Sequence, residues 1–388
     1  MMYAPSELDR FGPRHPRHLF DIPEHVAYLN CAYLAPELTR VAEASRWGLA
    51  KKSRPWTITP DDFFEPCERL RELAGRIFGC AADNIALVPA VSYGIETAAQ
   101  NTPCDASSTV VVLEEQFPSN VYPWRELCKR AGAELITVSR SLAPITDAVV
   151  KSIDERTVAV SLPAVHWLDG QALDLTRVAN AARAVDAFLV LDLTQSLGVM
   201  PFSVEEVDPD FAVAAGYKWL LGPYGVGYLY VAPRNQDKKP LENGWINREK
   251  SHEFSQLADY QTSYATGARR FDSGERSNFV TMPMAEAALE QILAWRVESI
   301  YERISAVNEH LALEVSRLGF ESHRLGVRAG HYLSIWRDHL DARDLAQRMR
   351  ERDVYVSARG SSVRVTPHLY NTKADLSRFL DALRSAAS

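Results

Sequence analysis

Two ionisable residues of this sequence stand against apolar runs. Asp192 closes the segment FLVLD after four apolar residues, where an ionised carboxylate is costly unless a cation meets it. Lys218 follows 26 positions later in DFAVAAGYKWLLGPYGVGYLYV, between a short apolar run and a glycine-rich turn, with Tyr217 and Trp219 on either side. Aromatic neighbours desolvate an amine, which lowers its pKa and makes it nucleophilic. Taken singly, Asp192 also reads as a strand-end residue capping the next turn, and Lys218 as a solvated surface charge. Taken together, a lysine able to form a Schiff base and a carboxylate able to hold a pyridinium nitrogen are the pair that pyridoxal 5'-phosphate chemistry requires.

The elements that must position this pair alternate. TVAVSLPAV reads as a strand, HWLDG as a turn, LTRVANAARAVD as a helix with Leu175, Val178, Ala179 and Ala182 on one face, and AFLVLDLTQ as a buried strand. Before them, NIALVPAV, SYGIETAAQN, TVVVLEE and YPWRELCKRAG repeat the strand–helix order, so the alternation covers roughly residues 80–235. The expected fold class is α/β, a mostly parallel sheet flanked by helices. In such sheets ligands sit beyond the carboxyl ends of the strands, where both Asp192 and Lys218 fall. From residue 281 the apolar spacing reads as nearly continuous amphipathic helix, followed by short strands and two more helices. The expected division is an irregular arm at 1–25, a large domain at 26–280 and a smaller C-terminal α+β domain at 281–388.

Composition limits the partners. The chain has 388 residues, 46% apolar and 24% charged, which suits a two-domain globular protein and excludes a disordered or collagen-like one. A net charge of −7, from 43 Lys and Arg against 50 Asp and Glu, leaves no basic excess for a nucleic-acid backbone. Cys31, Cys67, Cys80, Cys104 and Cys128 contain no C-x-x-C pair and read as reduced thiols rather than a disulfide framework or a metal site. No stretch approaches 18 uncharged apolar residues, and the first twenty residues carry charges and prolines instead of an apolar leader. The expectation is a cytoplasmic protein with no membrane or nucleic-acid partner.

The stretch DLTQSLGVMPFSVEEVDPDFAVAAGYKWLLGPYGVGYLY resembles the cofactor segment of the class V aminotransferase family, fold-type I enzymes that include kynureninase, isopenicillin N epimerase and cysteine desulfurases. The resemblance runs over roughly residues 26–385. It implies pyridoxal 5'-phosphate as cofactor, Lys218 as the Schiff-base lysine and Asp192 on the pyridinium nitrogen. VSYGI is similar to the family's phosphate-binding turn, with Val91 and Ser92 at a helix start, a position that an ordinary Ser N-cap describes equally well. FPSN is similar to kynureninase's FPSD, which implies Phe117 on the pyridine face and Asn120 nearby; a core Phe after a strand is the competing reading. The resemblance further implies Tyr217 on the phosphate, Gln195 near the ring hydroxyl or the Schiff base, and His166 beside the cofactor, though a lone turn His also reads as structural. NGWI and ERSN resemble kynureninase segments, implying Trp245 as a pocket wall, and Ser277 and Asn278 reaching the cofactor from the neighbouring subunit of a homodimer. Arg364, in the family's R-x5-Y-N pattern, is implied as the residue that takes the α-carboxylate of an amino acid bidentately.

Three departures narrow the reaction. No cysteine lies in VSARGSSVRVTPH ahead of Arg364, where the desulfurases carry their nucleophile. YLNCAYLAP replaces the glycine-rich stretch at the substrate end of kynureninase, and Ala215 lacks a hydroxyl that several relatives carry. The expected activity is that of an enzyme acting on an α-amino acid, nominally by transamination, with a lyase or an epimerase on the same scaffold as alternatives and a non-catalytic protein of this fold as the remaining one.

Overall fold

The computed structural model describes residues 16–141 and 144–387, so the first fifteen residues of the expected arm lie outside the described residues. Strand β1 (Ala27–Tyr28) leads to helices α1 (Thr39–Lys52) and α2 (Asp61–Phe78). The chain then alternates through β2 (Ile85–Val88), α3 (Val91–Gln100), β3 (Thr109–Leu113), α4 (Tyr122–Ala131), β4 (Glu134–Val138), α5 (Ile145–Lys151) and β5 (Thr157–Pro163). It continues with α6 (Leu175–Arg183), β6 (Phe188–Asp192), the short α7 (Val204–Val207), β7 (Phe211–Ala215) and β8 (Gly227–Val231). Helices α8 (Thr281–Trp295) and α9 (Val297–Arg317) precede β9 (Glu321–Ser322), β10 (Leu333–Trp336), α10 (Ala342–Arg350), β11 (Val354–Tyr355), β12 (Ser357–Arg359), β13 (Ser362–Val365) and α11 (Lys373–Ala386).

Seven strands form the central sheet in the order β2-β8-β7-β6-β5-β3-β4. Every pairing from β7 to β4 is parallel, and β8 alone inverts, running antiparallel to both β7 and β2. The expected α/β class, mostly parallel with flanking helices, is the class observed. The strands are apolar on both faces because both are covered: Val111, Leu189 and Leu191 face one core, Val110, Val112 and Val190 the other. Helix α6 shows how locally this is specified, since Asp174 caps it by accepting from the Arg177 N–H while Leu175, Val178, Ala179 and Ala182 form its buried stripe. Helix α3 lies close on β7 because residue 94 is glycine; a Cβ there would stand 2.8 Å from a Val213 methyl.

The long C-terminal helix expected from 281 is two helices, interrupted at Arg296 in the left-handed region with φ 66°. Met282, Ala285, Ala288, Leu289 and Ile292 of α8 pack in the core shared with the large sheet. A second core begins on α9 with Leu311 and Val315, includes Leu333, Ile335 and Val365, and takes in Ala27 and Leu29 from near the chain start. That inclusion follows from pairing: β1 runs parallel to β11, and Asn30 bridges to Thr366. The second sheet, β12-β13-β10-β9, is antiparallel. No helix among the described residues is long and apolar enough to cross a membrane.

Candidate active site

A cleft of about 300 Å3 opens beyond the carboxyl ends of the parallel strands. Asp192, the last residue of β6, lines it together with Lys218, three residues past the end of β7. Both are buried. The Asp192 carboxylate accepts the Thr194 N–H at 2.9 Å; burial pushes its pKa up against the lowering effect of that bond and of the Lys218 charge. Lys218 has the converse problem. Burial, then the Arg364 charge, lower its pKa to about 8 even though Asp192 works in the opposite direction. Its Nζ lies 5.5 Å from the Phe117 ring centroid and 5.6 Å from that of Tyr217. The lysine opens a tight turn in which the Leu221 N–H meets the Lys218 carbonyl at 3.0 Å, with Leu221 in the left-handed region at φ 54°.

The opposite wall is the start of α3. Val91 and Ser92 line the cleft, and no side chain caps that helix end, so its amide dipoles are open to an anion. Asn120 lies deeper, donating to Gln116 Oε1 at 3.1 Å and accepting from the Ser161 hydroxyl at 2.8 Å. Gln195 also lines the cleft, but its amide spans two other groups: it donates to the Ala32 carbonyl at 3.1 Å and accepts from Trp219 Nε1 at 3.0 Å. Tyr217 packs against Tyr224 with ring centroids 4.5 Å apart and planes tilted by 44°, and both line the cleft.

Arg364 enters from the second sheet. It is 1% exposed on β13 and donates through Nη1 to the Trp167 carbonyl at 3.0 Å and to the Tyr332 hydroxyl at 3.2 Å. Its Nε and Nη2 have no partner. Leaving two N–H sites of a buried guanidinium unpaired is expensive, and the open edge has the spacing of a carboxylate. The Trp167 turn is held by Gly170, at φ 80°, where a Cβ would run into the Tyr332 ring at 2.5 Å.

Five of the expected site residues do not line this cleft: Arg364, which stands behind Trp167, and four others. The His166 ring is fully buried, with Nε2 3.2 Å from the Glu114 carbonyl and Nδ1 3.5 Å from Asp169, while its neighbours Val165 and Trp167 face the cleft. Trp245 lines a separate surface depression and packs edge-on against Phe254. Ser277 donates to the Phe63 carbonyl, and Asn278 accepts the N–H groups of Val280 and Thr281 at the start of α8. Both line a second surface cavity beside Trp47, Lys51 and Arg54.

The cleft also contains residues not singled out from the sequence: Gln116, Trp167, Thr194 and Tyr224 line it, and Arg359 stands beside Trp167. Arg359 was legible. ARGSSVR with a Gly-Ser turn is a hairpin in which residues 359 and 364 fall on one face.

A family model described as Aminotransferase class-V matches residues 59–379. The uncharacterized aminotransferase YcbU of Bacillus subtilis (strain 168) is 26% identical over 383 residues, covering 96% of this chain and 97% of its own. A kynureninase of Bacillus mycoides (strain KBAB4) is 25% identical over 350 residues, covering 85% and 80%. Among solved structures, a C-DES mutant with glycine covalently linked to its PLP cofactor superposes with a TM-score of 0.87 at 18% identity, covering 96% of this chain and 99% of that one. An apo cysteine desulfurase from Thermococcus onnurineus NA1 superposes at 0.82, also with 18% identity, covering 96% and 98%. At that identity these likenesses speak to the fold.

Proposed function

The chain belongs to the class-V aminotransferase family, and from that premise we propose that it is a pyridoxal 5'-phosphate enzyme that works at the Cα of an α-amino acid. The observation that carries this reading is the burial of Lys218 and Asp192 in one cleft, facing an uncapped helix start. The residues suit the group. An open helix N-terminus with the Ser92 hydroxyl takes a phosphate, and a buried carboxylate with raised pKa is completed by a ring N–H cation. With a pKa near 8, roughly a tenth of the Lys218 amine is neutral at pH 7, enough to attach to an aldehyde readily.

When bound, pyridoxal phosphate withdraws electrons from a Cα attached to it. The chain supplies the rest. Phe117 and Tyr217 flank the Lys218 amine and keep water from it. Arg364 offers its open edge to the α-carboxylate, fixing which Cα bond is presented. Lys218, whose neutral amine is within reach of the cleft, would be the base that takes the Cα proton. Transamination is the reading adopted; the 25% identity to kynureninase and the FPSN segment similar to its FPSD support a lyase as the second.

Sulfur transfer is disfavoured. The cysteine that lies beside Lys218 is Cys31, whose Sγ points at the Lys218 carbonyl 3.9 Å away and whose thiol is pushed up by burial, so no thiolate is available.

A homodimer belongs to the same proposal. Trp47, 79% exposed, lines the cavity of Ser277 and Asn278, and Trp56, equally exposed, follows Arg54 of the same cavity by two residues. A second copy seated there would cover the cavity and bring Ser277 and Asn278 to its partner's cleft.

The test is direct. Borohydride treatment of the loaded protein should fix the cofactor on the peptide containing Lys218, and a screen of amino acids with product identification should return the keto acid. A protein that takes up no pyridoxal phosphate would sink the proposal.

A further inference from the structure

Strands β12 and β13 form a hairpin in which Ser357 pairs with Arg364 and Arg359 with Ser362. Arg359 and Arg364 are therefore diagonal neighbours on one face, a relation that sets Cβ atoms within roughly 8 Å. Both reach the same tryptophan: Arg364 donates to the Trp167 carbonyl, and the Arg359 guanidinium stands 5.7 Å from the Trp167 ring centroid and 5.9 Å from that of Tyr33. Trp167 lines the cleft of Lys218.

This arrangement is costly as it stands. Arg359 spends one donor on its neighbour's carbonyl, that of Ala358, while its buried Nε has no partner. Burial first, and the Arg364 charge second, push its pKa below the ordinary arginine range. No carboxylate among the described residues compensates either guanidinium, and both add to the lowering of the Lys218 pKa. One α-carboxylate fills one guanidinium edge. The second arginine calls for a second anion.

We propose that the cleft selects an α-amino acid whose side chain ends in another carboxylate, held by Arg359 while Arg364 takes the α-carboxylate. The proposal rests on the reading of Arg364 given above. Trp167 and Tyr33 flank the Arg359 guanidinium and desolvate it, which strengthens a charge-assisted bond to the distal group.

The experiment compares succinate with propionate as non-reacting probes, by isothermal titration against the full-length loaded protein. Succinate should bind at least about tenfold more tightly, the range of one added charged hydrogen-bond pair. Arg359→Ala should abolish the difference and leave propionate within about twofold, and Arg359→Lys, which keeps the charge and much of the packing, should retain part of it. Equal affinities in the unsubstituted protein, or equal weakening of both probes in either variant, would overturn the proposal. Borohydride attachment at Lys218 is scored separately, so a failure of the cofactor reading and a failure of the dicarboxylate reading give different results.

Discussion

The Tyr332 hydroxyl accepts from Nη1 of Arg364 at 3.2 Å while donating to the Trp167 carbonyl, so one phenol aligns the arginine with the turn it reaches across. Tyr332→Phe removes that alignment and leaves the fold otherwise intact. The loss of a buried bond to a charged group, on the order of 1.5 kcal/mol, should raise KM for the amino acid roughly tenfold. Cofactor loading, read from the absorbance of the bound pyridoxal, should be unchanged.

Lys218 sets a pH dependence in the cofactor-free protein. Its folded pKa is about 8 against an ordinary 10.5, so below pH 8 the charged amine destabilises the fold, by an amount on the order of 3 kcal/mol. Between pH 8 and 10.5 the unfolded chain binds the extra proton and this cost disappears. Lys218→Met should therefore be more stable than the unsubstituted protein at pH 7, with the gap closing as pH rises through that window. Urea midpoints at a series of pH values measure it; a gap independent of pH would refute the lowered amine pKa.

Two buried histidines predict acid lability. Burial lowers His331 to about 4 and His368 to about 3, and neither ring nitrogen of His368 has a partner. Both are neutral when folded, so their contribution is complete above pH 6.5 and is lost as pH falls from there toward 4 and then 3. For His368 alone the loss by pH 4 is on the order of 3 kcal/mol. His368→Phe, placed among Trp219, Trp295 and Tyr370, should flatten the fall in melting temperature between pH 6.5 and 4.

The exposed tryptophans give the dimer proposal its test. Trp47→Glu replaces an exposed ring by a charge in the cavity that Ser277 and Asn278 line. Sedimentation should show half the mass, and pyridoxal phosphate should dissociate at least about tenfold more readily if those residues serve the partner's cleft. A stable monomer with undiminished cofactor affinity would refute the shared site.

Asp192, Lys218 and Ser92 were legible in the sequence because each is tied to a local signal: the end of an apolar strand, an aromatic turn before a glycine-rich hairpin, the start of a helix. The cleft forms because the parallel sheet aligns those ends. Trp245, Ser277 and Asn278 carry family-like motifs, yet within one chain they lie on another surface, and their relation to a cleft depends on contacts that no local pattern encodes. The break at Arg296 has no local signature, for a different reason. Apolar spacing continues on both sides of it, and the residue in the left-handed region is an arginine, not the glycine that would advertise a stop.

The pairing of β1 with β11 joins residues 27 and 354, and the segment that follows β1 supplies Ala32 and Cys31 to the surroundings of Gln195 and Lys218. On a ribosome, the partner of β1 emerges 327 residues after it, from 27 to 354. The strands of the sheet that carries Asp192 and Lys218 are complete by residue 231, but β1 has no strand to pair with until residue 354 is free. Closure of the cleft therefore waits on β11, and a chain cut between α8 and β11 would keep every strand of the central sheet while leaving β1 without its partner.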